Sequence, residues 1–455
     1  MQPFKDRLPL LFRHVLYNLR GGFLVRPLII ALALGLAGAL LSALEEAVPG
    51  LDVWAPRVLF PSHSDPQVAQ VILGGIAAAM MTVVSIVFAI LLMTLTLASM
   101  QFSPRIIVSF SQDRVTQQTL GIFLGTFTYC LAALPAAHTL PRPFEPVLTV
   151  LGAMLLSLAC VAWLLYFIHH ISQAISVNHI VDRIAQETEA IIDQTMPHPI
   201  RHGRLTEAAL YAGEQLEPSA REAPVLSGVS GYVRFIDARR LVAQARSAGV
   251  TIRVLRRVGH FVPEGIPLLM VSRGDKLSGE RVAEMHAAFE FGPTRTLQQD
   301  VEYGILQIVD IALKAISPAV NDPSTAISCV DQLSRILIRF ALREPPEPLL
   351  YDPPGVVRVS LPWLSFDRLV ESAFEQIRLY AKADVAVSLR MLRALGDIAA
   401  TLPDPEDRRA LVERGRRIVA GCAGPLGEDE MGELRARLRT LEEMLSADSM
   451  PLSKS

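Results

Sequence analysis

Long uncharged apolar runs alternate with short polar connections up to about residue 181, and amphipathic periodicities take over from there to the end. Pro27–Leu44, Gln67–Pro104, Val115–Pro141 and Pro146–Val181 contain no Asp, Glu, Lys or Arg. A helix crossing a bilayer core needs about 20 mostly apolar residues, so these runs predict spans at 25–44, 71–98, 117–137 and 146–168. The leader 1–24 places Phe4, Leu8, Leu11, Phe12, Val15, Leu16 and Leu19 at helical spacing between basic residues. It reads as an amphipathic helix, lying either on anionic headgroups or against the polar half of the chain. Ala37-Gly38-Ala39 could end a signal peptide. The charged leader of about 27 residues is longer than such signals carry, so the first span is read as retained.

Beyond the last span, Ile175, Ile180, Ile184, Ile191 and Ile192 continue a helix to about Pro197, a direct mechanical connection out of the membrane. Gly231–Asp237 and Val250–Leu255 alternate like strands around a short helix at 238–247, and 258–271 reads as a turn-punctuated hairpin. Residues 303–316 and 323–342 read as two helices separated by Ser317-Pro-Ala-Val-Asn-Asp-Pro323. Asp322 serves as cap and Pro323 as the first residue of the second helix. The proline-rich stretch 345–354 reads as a loop, and amphipathic helices follow at 366–381, 384–401, 405–421 and 428–446. The chain is thus expected to be mostly α: a four-helix transmembrane region followed by a cytoplasmic α+β region with a small β-module and a helical bundle. Its expected segments are a leader 1–24, membrane domain 25–170, linker 171–223, β-module 224–275, helix–turn–helix 276–345, bundle 346–446 and disordered tail 447–455.

Composition sharpens the division. Of 43 basic and 45 acidic residues, only nine and seven fall within 1–181. The chain as a whole is 19% charged, with a mean hydropathy of +0.35, against roughly 25% charge in ordinary soluble proteins. A net charge of −2 argues against nucleic-acid binding driven by bulk positive charge. Lys5, Arg7, Arg13, Arg20 and Arg26 precede the first span, and Arg105 and Arg114 follow the second. The first and third connections hold only Arg57 and Arg142. Positive charge therefore favours a multi-pass inner-membrane protein with both termini cytoplasmic. Cys130, Cys160, Cys329 and Cys422 form no C-x-x-C pattern, so neither a disulfide framework nor a thiolate zinc site is indicated.

Three places could carry function. In the second span Thr82, Ser85, Ala89, Thr96, Ser99 and Ser103 recur at three- and four-residue steps, interrupted by Leu92. Such a stripe either lines a water-filled path, through Thr82, Ser85, Thr96 and Ser99, or packs closely against another helix. Gly121-x-x-x-Gly125 reads as a packing motif. No acid or base stands mid-span, so the usual mark of a proton relay or ion-coupled carrier is missing. His169, His170, His179, His198 and His202 read as interfacial anchors, since Pro197 and Pro199 spoil an i,i+4 ligand pair. The densest polar group is cytoplasmic: Arg105, Asp300, Glu302, Asp310, Lys314, Asn321 and Asp322. An enzyme could pair two of these acids as general acid and base; the alternative is a capped helix–turn–helix fixed by an ion pair. The sequence holds no nucleophile elbow, P-loop, zinc box or dinucleotide fingerprint, so no catalytic residue, cofactor or metal is assigned.

Gly259-x-Phe-Val-x-x-Gly-x-Pro-Leu268 resembles the hairpin of lipoyl- or biotinyl-type barrel-sandwich domains. The attachment lysine of those domains is missing, because no lysine lies between Lys5 and Lys276. A broader resemblance rests on three segments: Ser99-Met-Gln-Phe-Ser-Pro-Arg105, Leu120-Gly-Ile-Phe-Leu-Gly-Thr-Phe-Thr-Tyr129, and the stretch from Asp300 through Tyr303-Gly-Ile and Ser317-Pro-Ala-Val-Asn-Asp-Pro323 to Ala326. Together they resemble the bacterial membrane-protein family called domain of unknown function 2254, which implies a bacterial inner-membrane location and transfers no site. The spans and the hydroxyl stripe, rather than the resemblance, set the leading expectation: a homo-oligomeric, channel-like protein in the lipid bilayer, gated by its cytoplasmic part. The alternative is a membrane-anchored scaffold or sensor that binds a cytoplasmic protein partner.

Overall fold

A computed structural model of the chain describes residues 25–48, 66–101, 114–137, 146–174, 176–196, 222–346, 348–352 and 355–447. The leader, Arg105 and the tail beyond Ala447 lie outside the described residues. The chain divides into two compact units at Ser176/Val177.

The first unit consists of α1 (Val25–Ala47), α2 (Pro66–Gln101), α3 (Arg114–Ala133, continued by a 3-10 turn to Ala136) and α4 (Val147–Ala174). Three stretches, Val25–Ala47, Pro66–Thr96 and Val147–Ser172, are long and apolar enough to cross a membrane. The remaining run forms α3, a helix of different character. It begins with Arg114, Thr116 and Gln117, and most of its side chains are buried or half-buried by the other helices. Small residues allow this. At Gly121 a Cβ would lie 2.8 Å from Ile30 Cδ1, at Gly125 2.5 Å from Leu34 Cδ1, and at Gly38 of α1 2.6 Å from the Tyr129 carbonyl oxygen. Gly121-x-x-x-Gly125 is thus a packing motif. Thr128 Oγ1 donates to the Ala31 carbonyl at 2.7 Å, and Trp163 Nε1 to Thr119 Oγ1 at 2.9 Å.

Glu45, near the end of α1, is buried and caps the start of α4. It accepts from Leu148 N at 2.8 Å, Thr149 N at 3.1 Å and Thr149 Oγ1 at 3.0 Å. A carboxylate at a helix N-terminus satisfies orphan amide donors and meets the positive end of the helix dipole. Toward the other end of α4, Trp163, Tyr166 and His170 lie ring against ring, with centroids 5.4 and 6.3 Å apart. We expect Gly38→Leu to cost about 1–3 kcal/mol by overpacking, seen as a lowered thermal midpoint in detergent. Gly74→Ala should leave the midpoint unchanged, because a Cβ there meets nothing within 4 Å.

The second unit opens with α5 (Val177–Thr195). The expected single helix through 171–197 is therefore two, since α4 ends at Ala174 and α5 starts afresh at Val177. Strands β1 (Ala223–Leu226), β2 (Gly231–Ile236), β3 (Ile252–Val254), β4 (Phe261–Val262), β5 (Pro267–Val271) and β6 (Phe289–Gly292) follow, with α6 (Ala238–Ala248) and α7 (Gly279–His286) among them. After α8 (Val301–Ala315) and α9 (Pro323–Ala341) come β7 (Leu349–Asp352) and β8 (Val356–Ser360). The unit closes with α10 (Phe366–Tyr380), α11 (Val385–Ala399), α12 (Pro405–Cys422) and α13 (Glu428–Ala447).

Two sheets form, of order β1-β5-β3-β8-β7 and β4-β2-β6. The expected 258–271 hairpin is absent, because β4 pairs with β2 while β5 pairs with β1 and β3. The expected 345–354 loop contains β7, which pairs with β8, and β8 runs parallel to β3. The sheets thus draw strands from 289–360 as well as from 223–271. Their shared core includes Val233, Leu241, Ile252, Leu268, Leu269, Met285 and Val359.

Helix α5 buries Ile180, Val181, Ile184, Thr188, Ile191 and Ile192 against α8 and α9. A ladder of arginines on and just beyond α9 grips its polar edge. Arg335 reaches Asp182 at 2.8 Å and Glu189 at 2.6 Å, while Arg339 and Arg343 reach Asp193 at 2.6 and 2.5 Å. The hydrogen bond from Arg339 holds the Asp193 carboxyl below the usual carboxylate range. These side chains are partly exposed, Glu189 and Arg343 least so, so each pair adds modest stability. The two-point contacts of Arg335 with Glu189 and of Arg339 with Asp193 fix register.

Candidate functional site

The first candidate lies on α2. Its buried positions, Ala69, Leu73, Met80, Val87 and Thr94, recur mostly at seven-residue steps and form one packing face. At about 100° per residue, Thr82, Ser85, Ala89 and Thr96 sit about 140–200° around from Met80, and all four are exposed. The stripe therefore does not pack against the chain's own helices. Each hydroxyl bonds back to the preceding turn: Thr82 Oγ1 to Ala78 O at 3.1 Å, Ser85 Oγ to Met81 O at 2.9 Å, Thr96 Oγ1 to Leu92 O at 2.8 Å. A back-bonded hydroxyl leaves no unsatisfied donor, so these positions tolerate apolar surroundings and can also accept from water. Ser99 lies within α2, and its side chain is outside the described residues.

The second candidate is the polar group around α8, which the fold separates into two. Asp300 and Glu302, both buried, stand at the start of the helix. Asp300 is its cap, accepting from Tyr303 N at 3.1 Å, and Arg295 clamps it with Nε–Oδ2 at 2.7 Å and Nη2–Oδ1 at 2.8 Å. Glu302 accepts from Arg295 Nη2 and Arg257 Nη2, each at 3.0 Å, and from Ser372 Oγ at 3.1 Å. Arg368 Nε lies 3.8 Å from it. The burial of Glu302 opposes its charge, but Arg257 and Arg295 outweigh that and hold its carboxyl below the ordinary range. An acid fixed as a carboxylate, with both oxygens engaged, is a poor proton shuttle and a good structural joint.

Gly259 serves the same joint. It adopts φ +87°, and a Cβ there would collide with Asp300 Oδ2. Burial and the charges of Arg257 and Arg256 lower the pKa of neighbouring His260, which keeps that ring neutral at pH 7.

The remaining members lie toward the other end of α8. Asp310 and Lys314 are half-buried, one turn apart on the helix. Asn321 takes a left-handed conformation (φ 50°), and Asp322 caps α9 through Thr325 N at 3.1 Å and Thr325 Oγ1 at 2.6 Å. These bonds hold the Asp322 carboxyl below its usual range. Helix–turn–helix capping is therefore present as the spacing implied, and the acids do not converge on one centre. No group of three or more His, Cys, Asp or Glu able to hold a metal occurs among the described residues. Sequence reasoning missed Arg257, Arg295, Arg368 and Ser372, the partners that make Asp300 and Glu302 a cluster. The only local hint was Arg295, five residues before the capping Asp300.

Apolar helices long enough to span a bilayer, joined to a large polar α/β unit, define a membrane protein. The chain belongs to the family described as Predicted membrane protein (DUF2254), whose match covers residues 20–397. It is 31% identical over 420 residues to an uncharacterized protein, Rv1290c, of Mycobacterium tuberculosis, covering 90% of this chain and 77% of that one. The same identity and coverage hold for an uncharacterized protein, Mb1321c, of Mycobacterium bovis. No solved structure matches the chain.

Proposed function

We propose that the protein forms an oligomeric pore in a bacterial inner membrane, lined by the hydroxyl face of α2 and gated by the polar unit. The carrying observation is that Thr82, Ser85 and Thr96 lie opposite the packing face of α2 and are exposed in a single chain. Four helices bury one another and leave no room for a pathway, so several copies must surround it, each contributing α2, with Ser99 continuing the stripe. In this reading all four helices span, both termini are cytoplasmic on the Lys/Arg distribution, and Arg105 stands near the inner mouth. Gating force enters through α5, which follows α4 in the chain and is fixed to α8 and α9 by apolar contacts and the arginine ladder. The Glu302 cluster stiffens the unit so that displacement of α5 moves it as a body.

Copies that meet around an axis through this stripe should form disulfides between subunits when Ser85→Cys is oxidised in native membranes. Ile90→Cys, exposed but about 80° around the helix beyond the edge of the stripe, should link far less. The four natural cysteines are buried and should contribute no background. Absence of any Ser85→Cys dimer would remove the axis and favour a membrane-anchored scaffold instead.

A further inference from the structure

Side-chain pairs fix the direction of each helix in the second unit. Residues 182, 189 and 193 of α5 meet 335, 339 and 343 in ascending order, so α5 and α9 run parallel. Helix α8, joined to α9 by a short turn, runs antiparallel to both, with Gly304 against Thr188. Helix α10 starts beside the end of α9, where Phe366 stacks on Phe340 at 6.4 Å, and passes Glu302 through Ser372. It therefore runs alongside α8. Helix α11 returns, pairing Arg390 with Asp331. The start of α5, the 317–321 turn and the 380–384 turn consequently gather at one end of the unit. The other end carries the sheets, through Arg257 and Arg295 at the start of α8 and β7 after α9.

Around the first end, Val320 (51% exposed), Leu379 (43%) and Tyr380 (72%) present apolar and aromatic surface, with Lys382 exposed beside them. A tyrosine with aliphatic neighbours and a lysine is the composition that settles at a membrane–water interface, ring at headgroup level and ammonium on phosphate. Chain length supplies the occupant. Val177 follows Ser172, the last residue of the apolar stretch, by five residues, which reach at most about 18 Å when fully extended. The end of the unit where α5 begins is thus tethered to the bilayer edge.

We infer that this end rests on the lipid surface, with Val320, Leu379 and Tyr380 in the headgroup region and Lys382 on lipid phosphate. The inference does not depend on the pore reading. Its test uses the full chain in vesicles of phosphatidylcholine and phosphatidylglycerol, labelled with an environment-sensitive fluorophore at Val320→Cys, Tyr380→Cys or Phe261→Cys. Phe261 is similarly exposed (53%) but lies among the sheets. Nitroxide-bearing lipids should quench the labels at 320 and 380 several-fold more than the one at 261. Equal quenching, stronger quenching at 261, or shielding of 320 and 380 from both lipid and aqueous quenchers would overturn the inference; shielding would mean that protein covers the face. Substitution of exposed residues seldom unfolds a protein, and an unchanged thermal midpoint verifies this for each variant.

Discussion

Glu302→Ala is expected to destabilise the second unit by about 3–5 kcal/mol, the usual cost of removing one partner from a buried ion cluster. At about 2–4 °C per kcal/mol for a unit of this order of size, the thermal midpoint should fall by roughly 6–20 °C. The loss would come mainly from what remains. Arg257 and Arg295, only 17% and 15% exposed, would each lose a carboxylate. Glu302→Gln should cost less, because its amide oxygen can still accept from Arg257 and Arg295 while its NH2 donates to Ser372 Oγ. The sign of the pH dependence follows from the depressed pKa. The stabilisation from Glu302 is complete above the carboxyl's unfolded pKa and is lost as pH falls through its lower folded value. Asp193 and Asp322 shift in the same direction. Acid unfolding of the wild type should therefore begin below the ordinary carboxylate range. Glu302→Ala, starting from lower stability, should unfold at higher pH. A midpoint unchanged at pH 7 would show that the cluster is not the joint described.

Gly304→Ala is the second large effect. Helices α5 and α8 approach so closely there that a Cβ would collide with Thr188 Oγ1 and lie 3.0 Å from Thr188 Cβ. Thr188 is itself fully buried and bonded to Ile184 O at 2.6 Å, so turning its side chain away breaks that bond. One methyl group must push the helices apart, at about 1–3 kcal/mol. Adding Thr188→Ala should recover part of the loss, because the hydroxyl clash disappears while the Cβ contact stays. That non-additivity is the signature of direct contact, read as thermal midpoint. In the proposed pore the same substitution should also uncouple gating, since α5 is the element through which the polar unit acts.

Much of the architecture was legible because it is local. The second-unit helices follow their apolar stripes, and Ser365, Asp384 and Asp404 cap them where a short polar residue precedes each run. The stripe on α2 was legible for the same reason: period 3.6 needs only one helix to be seen. What was lost is non-local. Turn residues in 258–271 mark the ends of β4 and β5, but nothing nearby says that they belong to different sheets. The stretch 345–354 read as loop because Pro345, Pro346, Pro348, Pro353 and Pro354 flank β7. The hairpin of β7 with β8 is anchored to the sheet only through the pairing of β8 with β3, about a hundred residues back. The Glu302 cluster was hidden by abundance, since 38 arginines against five lysines give no local reason to single out Arg257 or Arg295. The capping of α9 by Asp322, by contrast, is written within four residues.

Solute flux from liposomes holding the purified full-length protein tests the central claim most directly, with wild type compared against Ser85→Leu. The exposed, back-bonded position of Ser85 lets leucine fit without disturbing the helix bundle, so assembly and thermal midpoint should be retained. A pore lined by α2 predicts that the wild type releases small ions and that Ser85→Leu sharply reduces the release. Equal flux in both proteins would place any pathway elsewhere, and no flux from either across varied pH and membrane tension would contradict the pore.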